Sequence, residues 1–204
     1  MNSNPDDHDP QAVILKAAAE IFAEHGFAGA RVEAIAQAAG INKAMLYYRV
    51  GDKARLYELV IVEYYRQAVQ AAEEAAASPG GPQVRLGRVI NALAGLFAAD
   101  PLLPRIMAWE VTSGGANLPP CLPKFMQRLL GVVAPLARAM GLDPFCTHFT
   151  IMGSLMFTAH TAPLRKRLAP SLPQEFAGAG QVELSDMAFF LESLFCRNEV
   201  GDKI

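Results

Sequence analysis

Residues 32–48 read VEAIAQAAGINKAMLYY, two short helical patterns meeting across a glycine. Val32, Ile35 and Ala36 recur at helical spacing and predict a helix over 32–38, and a second is predicted over 42–48. Three residues set the geometry. Ala36 is small enough for two short helices to cross closely, Gly40 tolerates the positive φ that the turn needs, and Leu46 returns from the second helix to a core with Ile35 and Ile41. Asn42 stands at the second helix start, where its side chain can accept from backbone N–H groups of the first turn. A helix start of this kind also favours a phosphate. An ordinary αα-corner shares this core spacing, so the surroundings have to decide. A helix-turn-helix would place the N-terminal end of its second helix in the major groove of DNA.

The outward positions of that second helix are Lys43, Ala44, Tyr47 and Tyr48, with Met45 at the edge and Arg49 at the end. From Arg31 to Arg55 the basic residues Arg31, Lys43, Arg49, Lys53 and Arg55 are opposed only by Glu33 and Asp52. The whole chain carries a formal charge of −2 and gives phosphate no general attraction, so this local excess would have to supply it. Arg55 is expected on a solvated helix face.

Working outward, Asp9-Pro10 is a helix start, and Ile14, Ala17, Ala18, Ile21 and Phe22 give a first helix with one apolar stripe, ending near His25-Gly26. Phe27 is expected to plug the core behind it. Residues 1–8 are polar and acidic and read as a mobile tail. Gly51-Asp52 opens a long fourth helix carrying Leu56, Leu59, Val60, Val62, Tyr64 and Val69, which dissolves before Pro79-Gly80-Gly81-Pro82. Further helices are predicted over about 83–99, 101–112, 120–140, 143–166 and 184–198, separated by clusters of Pro, Gly and Asp. The fold class is all-α, with about nine helices. The chain divides into a helix-turn-helix domain over 1–50 and a larger helical domain over 51–204.

The block GFAGARVEAIAQAAGINKAMLYYRVGDKARLYE resembles the signature of the TetR family of bacterial transcriptional regulators: Gly-aromatic, Val-x-x-Ile-Ala, Ala-Gly-Ile, x-Leu-Tyr-x, then Lys shortly before Leu. The resemblance covers residues 11–60. It implies that Tyr47 and Lys53 contact phosphates, and that Lys43, Ala44 and Tyr48 face base edges or the adjacent backbone. Three positions depart from the pattern. Ala30 and Arg31 stand where the family has Thr or Ser, so Arg31 is left to replace a phosphate contact while the hydroxyl cap is missing. Arg49 and Val50 stand where His or Tyr and then Phe are common. Asp6, Asp7 and Asp9 exclude the basic N-terminal arm of some relatives.

Composition narrows the alternatives. Apolar residues make up 52% of the 204 residues and charged residues 19%, which excludes a disordered chain. No leader pattern opens the sequence and no apolar run reaches the length of a membrane span, so the chain is expected in the cytoplasm. Cys121, Cys146 and Cys196 read as reduced thiols. There is no G-x-S-x-G elbow, phosphate loop or H-E-x-x-H, and Cys146-Thr147-His148 falls short of a zinc set, so neither an enzyme, a metal site nor a cofactor is expected.

One short reading helix per chain makes few contacts, so a homodimer on a palindromic operator in double-stranded DNA is expected. Its interface is predicted on the last two long helices, about 143–166 and 184–198, which are apolar on more than one face; the TetR resemblance implies the same arrangement. Phe97, Met107, Trp109, Met126, Phe149, Met152, Met156 and Phe157 are candidate pocket-lining residues for a lipophilic or aromatic effector, with Glu110, His148 and His160 as polar candidates to orient it. Plain core packing is the alternative for each. The function expected is therefore a ligand-responsive regulator, with repression the usual mode of the family. A helical interaction protein that has lost specific DNA binding is the rival.

Overall fold

The structure is a computed structural model and describes residues 10–195. The tail over 1–8, the cap at Asp9, Cys196 and the end of the last predicted helix lie outside the described residues. Nine α-helices and no strand are found among the described residues: α1 (Pro10–Gly29), α2 (Val32–Ala38), α3 (Lys43–Val50), α4 (Lys53–Ala76), α5 (Pro82–Ala99), α6 (Leu102–Thr112), α7 (Leu122–Ala139), α8 (Pro144–Leu168) and α9 (Leu184–Phe195). Short 3-10 turns at Ala169–Ser171 and Gln174–Gly180 join the last two. No single helix among the described residues is long and apolar enough to cross a membrane.

Two compact units form. The first holds the chain from α1 to Arg66 together with Leu102–Leu122, and the second holds Gln67–Pro101 and the chain from Pro123 onward. The segment expected to read DNA lies wholly in the first.

In the first unit α1 packs on α2, α3 and α6. Ile14, Ala17, Ala18 and Phe22 are buried on the predicted stripe. The ring of Tyr57 meets Phe22 edge-on at 4.7 Å between centroids and Phe27 at 5.1 Å, so Phe27 does close this core, half-buried. α1 does not run straight to Gly29: Gly26 adopts φ 65°, ψ 178°, a conformation essentially reserved for glycine, and breaks the helix there. A Cβ at Gly26 would stand 3.0 Å from the Trp109 ring of α6. The same indole donates its N–H to the Ala23 carbonyl at 3.2 Å, one turn before the break in α1.

A second tie in this unit is polar. Glu110 of α6 is only 1% exposed, and its carboxylate accepts from the Tyr57 hydroxyl at 2.6 Å, from the Asn117 N–H at 3.1 Å and amide at 3.2 Å, and from Ser113 at 3.3 Å. The donors spread one buried charge over α4, α6 and the loop that follows α6. Burial first, and then the bond to Glu110, pushes the Tyr57 hydroxyl well above the usual tyrosine range.

The buried stripe of α4 differs in register from the sequence expectation. Leu56, Val60 and Val69 are buried as predicted, but Tyr57, Ile61, Tyr65, Ala68 and Ala72 join them, while Leu59, Val62 and Tyr64 are half-buried. The segment LVIVEYY is apolar on adjacent faces, so periodicity alone does not choose between two stripes one residue apart.

In the second unit α5 packs against α8 and α9, and α8 against α9. Leu86, Val89, Ile90, Leu93 and Phe97 of α5, with Ile151 and Leu155 of α8 and Ala188 and Leu191 of α9, are buried. Asn91 of α5 donates to Glu192 of α9. Asp143 caps α8 by accepting from Cys146 N–H at 2.7 Å, which holds its carboxyl below the ordinary range. At the other end Arg165 donates to the carbonyls of Thr158 and Val182, each at 2.8 Å, and fastens the end of α8 to the approach to α9.

Candidate nucleic-acid interface

The α2–turn–α3 stretch is held by the three residues that its sequence singles out. Ala36 is 3% exposed and Leu46 1%, and Ile35 is fully buried with them, whereas Ile41 is half-buried. Gly40 has φ +68°, and a Cβ there would meet nothing within 4 Å, so its requirement is conformational and not one of space. Asn42 accepts from the Met45 N–H at 2.8 Å and caps α3. α3 continues two residues beyond the expected end at Tyr48, through Arg49 to Val50. Val50 is buried, and Gly51 at φ +82° stops the helix.

The eight-residue α3 therefore buries only Leu46 and Val50. Lys43, Ala44, Tyr47, Tyr48 and Arg49 are exposed, as is the capping Asn42, and Tyr48 reaches 87%. Met45 joins them at 40%. A cap, a helix start and outward donors on one short helix are what reading a major groove requires.

The flanking cations are arranged in two ways. Lys53, at the start of α4, lies over the Phe27 ring at 4.7 Å and reaches the Ala28 carbonyl at 3.4 Å; partial burial lowers its pKa from the ordinary lysine value. Asp52 caps this helix by accepting from the Arg55 N–H at 2.8 Å, and Arg55 itself pairs with Glu58 at 2.6 Å on the solvated face. Arg31 is exposed at the position preceding α2, with extended backbone and no side-chain cap bond. Ala30 beside it is buried, so the position that lacks the hydroxyl is used for packing. Arg31 lines an open cleft of about 330 Å³ with His25, Gly29 and Ala34.

Two features escaped the sequence pattern. His25 shares the Arg31 cleft, although it reads simply as the end of a helix. Glu33 of α2 accepts from Lys43 Nζ at 2.6 Å, and Lys43 also lies 5.7 Å from the Tyr47 ring centroid. The ten-residue separation of Glu33 and Lys43 is the one signal for this pair, since it spans nearly all of α2 and the turn that leads to the first residue of α3.

The candidate effector residues are distributed differently. Met107, Trp109 and Glu110 belong to the first unit, where Met107 accepts from the Tyr65 hydroxyl at 3.7 Å and Trp109 and Glu110 hold Ala23 and Tyr57. Phe97 and His148 are buried in the second unit, with Met152 and Met156 half-buried on α8. His148 Nδ1 is buried without a hydrogen-bond partner, and desolvation lowers the pKa of the ring. Met126, Phe149, Phe157 and His160 are exposed, Phe157 at 70%. The structure thus groups Phe97, His148, Met152 and Met156 in one unit and leaves the other aromatic candidates of α8 outside its core.

The profile described as "Bacterial regulatory proteins, tetR family" matches residues 14–60. The chain is similar to the transcriptional repressor NicS of Pseudomonas putida, at 29% identity over 187 residues, 86% of this chain and 88% of that protein. It is also similar to the transcriptional repressor SCO4008 of Streptomyces coelicolor, at 36% identity over 115 residues, 54% of this chain and 56% of that one. Among solved structures, the regulator FadR of Bacillus subtilis in complex with stearoyl-CoA superposes with a TM-score of 0.70 at 19% identity, over 90% of this chain and 96% of that one. The motif and the profile agree that residues 14–60 form a helix-turn-helix domain of the TetR family of bacterial regulatory proteins, and the order of helices in the whole chain is that of the solved FadR fold.

Proposed function

We propose that this protein is a ligand-responsive repressor that binds a palindromic operator as a homodimer and leaves it when a lipophilic or aromatic effector binds. The observation that carries the DNA-binding part is the outward face of α3: a helix capped by Asn42, anchored by Leu46 and Val50, with its other side chains exposed on the side that a groove would meet. Asn42, Lys43, Ala44, Tyr47, Tyr48 and Arg49 are the proposed contacts, flanked by Arg31 and Lys53. The similarity to NicS and SCO4008, both named as repressors, supports the sign of regulation.

The dimer is supported by what one chain leaves uncovered. Phe149, Phe157 and Leu164 on α8, and Phe189, Phe190 and Leu194 on α9, are all more than half exposed. An apolar surface of this extent on two packed helices is one that a second copy would cover, and Gly153 and Ser154 between the α8 aromatics allow close approach. Phe149 and Phe157 are therefore assigned to the interface. Phe97, Met152 and Met156 remain the effector-lining residues, with His148 as the polar group that orients the effector. A FadR of the same fold is seen with stearoyl-CoA, so this architecture can hold a lipophilic molecule.

The test is a footprint on the DNA upstream of the protein's own coding sequence. Saturable protection of a palindrome is expected, weakened by Tyr47→Ala about tenfold or more, the cost of one hydrogen bond to a charged group. Equal weak binding to every duplex would instead favour a helical interaction protein without specific DNA binding.

A further inference from the structure

The N-terminal half of α3 has to attract phosphate, yet its one lysine is already engaged. Lys43 Nζ lies 2.6 Å from a Glu33 carboxylate oxygen and near the Tyr47 ring, so the cation is drawn back across the turn toward α2. Both partners are well exposed, at 49% and 64% of their side chains, so the pair sits on the surface that DNA would approach and is not a core contact. The hydrogen bond from Lys43 holds the Glu33 carboxyl below its ordinary range, and the same bond raises the Lys43 ammonium. The cation cannot enter a phosphate contact without giving up this partner or bringing the carboxylate toward the DNA.

We propose that Glu33 is a specificity-determining residue: by pairing with Lys43 it removes one cation from the sequence-independent attraction to DNA, and only a closely docked operator takes Lys43 from it. This rests on the DNA-binding reading above.

The physical reason lies in how the two kinds of complex differ. Loosely docked DNA offers hydrated phosphates at variable distance, and its binding comes almost wholly from counterions released by cations that meet phosphates. A lysine already neutralised by a carboxylate releases no counterion, so the encounter loses its contribution. A fitted operator offers a base edge or phosphate at hydrogen-bond distance, from which water is excluded, and an exposed ion pair is a weak competitor there. Glu33 also places a negative charge beside the groove, which a poorly fitting duplex cannot offset. Affinity is lowered for both classes of DNA, and more for the wrong one.

The experiment measures binding of a mixed-sequence duplex, about three helical turns long, and of the footprinted upstream duplex as salt is varied. Wild type, Glu33→Gln, Lys43→Ala and the double variant are compared. With Glu33 present, Lys43→Ala should change mixed-sequence affinity less than about twofold, whereas in Glu33→Gln it should cost about fivefold to tenfold per chain of the homodimer, the effect of one phosphate contact each near 0.1 M salt. Glu33→Gln should also steepen the log–log salt slope on mixed sequence by about 0.9 per chain, about 1.8 for the homodimer, and narrow the ratio of operator to mixed-sequence affinity. Equal costs of Lys43→Ala in the two backgrounds, or an unchanged slope, overturn the proposal. Failure of the wild type to protect any upstream site would overturn the DNA-binding reading instead, so the two failures are distinct. Glu33 is a surface residue, and matching thermal melts of wild type and Glu33→Gln establish that the fold is common to both.

Discussion

Tyr57 of α4 donates its hydroxyl proton to Glu110 of α6 across 2.6 Å, and the other donors to that carboxylate are an amide, a backbone N–H and a serine hydroxyl. A buried negative charge is thus held by dipoles alone. Tyr57→Phe preserves the ring packing against Phe22 and Phe27 and removes the shortest of these bonds. The expected loss is about 1.5–3 kcal/mol, the range for a hydrogen bond to a charged group, read as a lower urea midpoint with an unchanged slope.

At Gly26 two demands coincide, since the backbone at φ +65° suits only glycine and the Trp109 ring fills the space of a side chain. Gly26→Ala should cost about 1–3 kcal/mol from the backbone alone, with the steric conflict added. Trp109→Phe should cost about 1 kcal/mol, the net value of the bond to Ala23. Combining Gly26→Ala with Trp109→Ala separates the parts: the steric share of the Gly26 effect disappears with the indole, and the backbone share remains.

For the proposed dimer, Phe157→Asp changes a side chain that is 70% exposed in one chain. Sedimentation should show monomers with wild-type helicity, and operator binding should fall with the loss of the second half-site contact. Dimers that persist at wild-type strength would remove α8 from the interface.

His148 gives the fold an acid sensitivity whose sign is fixed. Its pKa is lowered by desolvation from 6.5, so the unfolded chain takes up a proton that the folded chain refuses. The stability tied to the neutral ring is complete above the unfolded value and is lost as pH falls through 6.5 toward the folded value. Melting temperature should decline between about pH 7 and 5, and His148→Leu should flatten that decline. A variant with the same acid dependence as wild type would place its origin elsewhere.

The reading helix was legible because its determinants are local. Gly40, Asn42 and Leu46 lie within seven residues of sequence, and each acts through the turn or cap that it belongs to. Helix boundaries elsewhere followed from Pro, Gly and Asp for the same reason. The stripe of α4 was legible only in part, since its apolar residues cover more than one face. Least legible were Trp109 and Glu110. Their types and surroundings suggest effector contacts, yet their partners Ala23 and Tyr57 stand 86 and 53 residues away, and no local pattern announces a pairing over that separation. The outward aromatics of α8 were ambiguous for another reason: a helix apolar all round carries no periodic signal of which side meets its own core.

Trp109 is the one tryptophan in the sequence, and it stands where α6 meets the break in α1. Its emission therefore belongs to a single site, free of contributions from any other indole. A shift in wavelength or quenching when an effector or a duplex is added would register change at the α1–α6 junction with no label attached, and steady emission would mean that this junction stays closed while the rest of the molecule responds. The chain carries its own optical probe at the seam that joins its DNA-reading helices to α6.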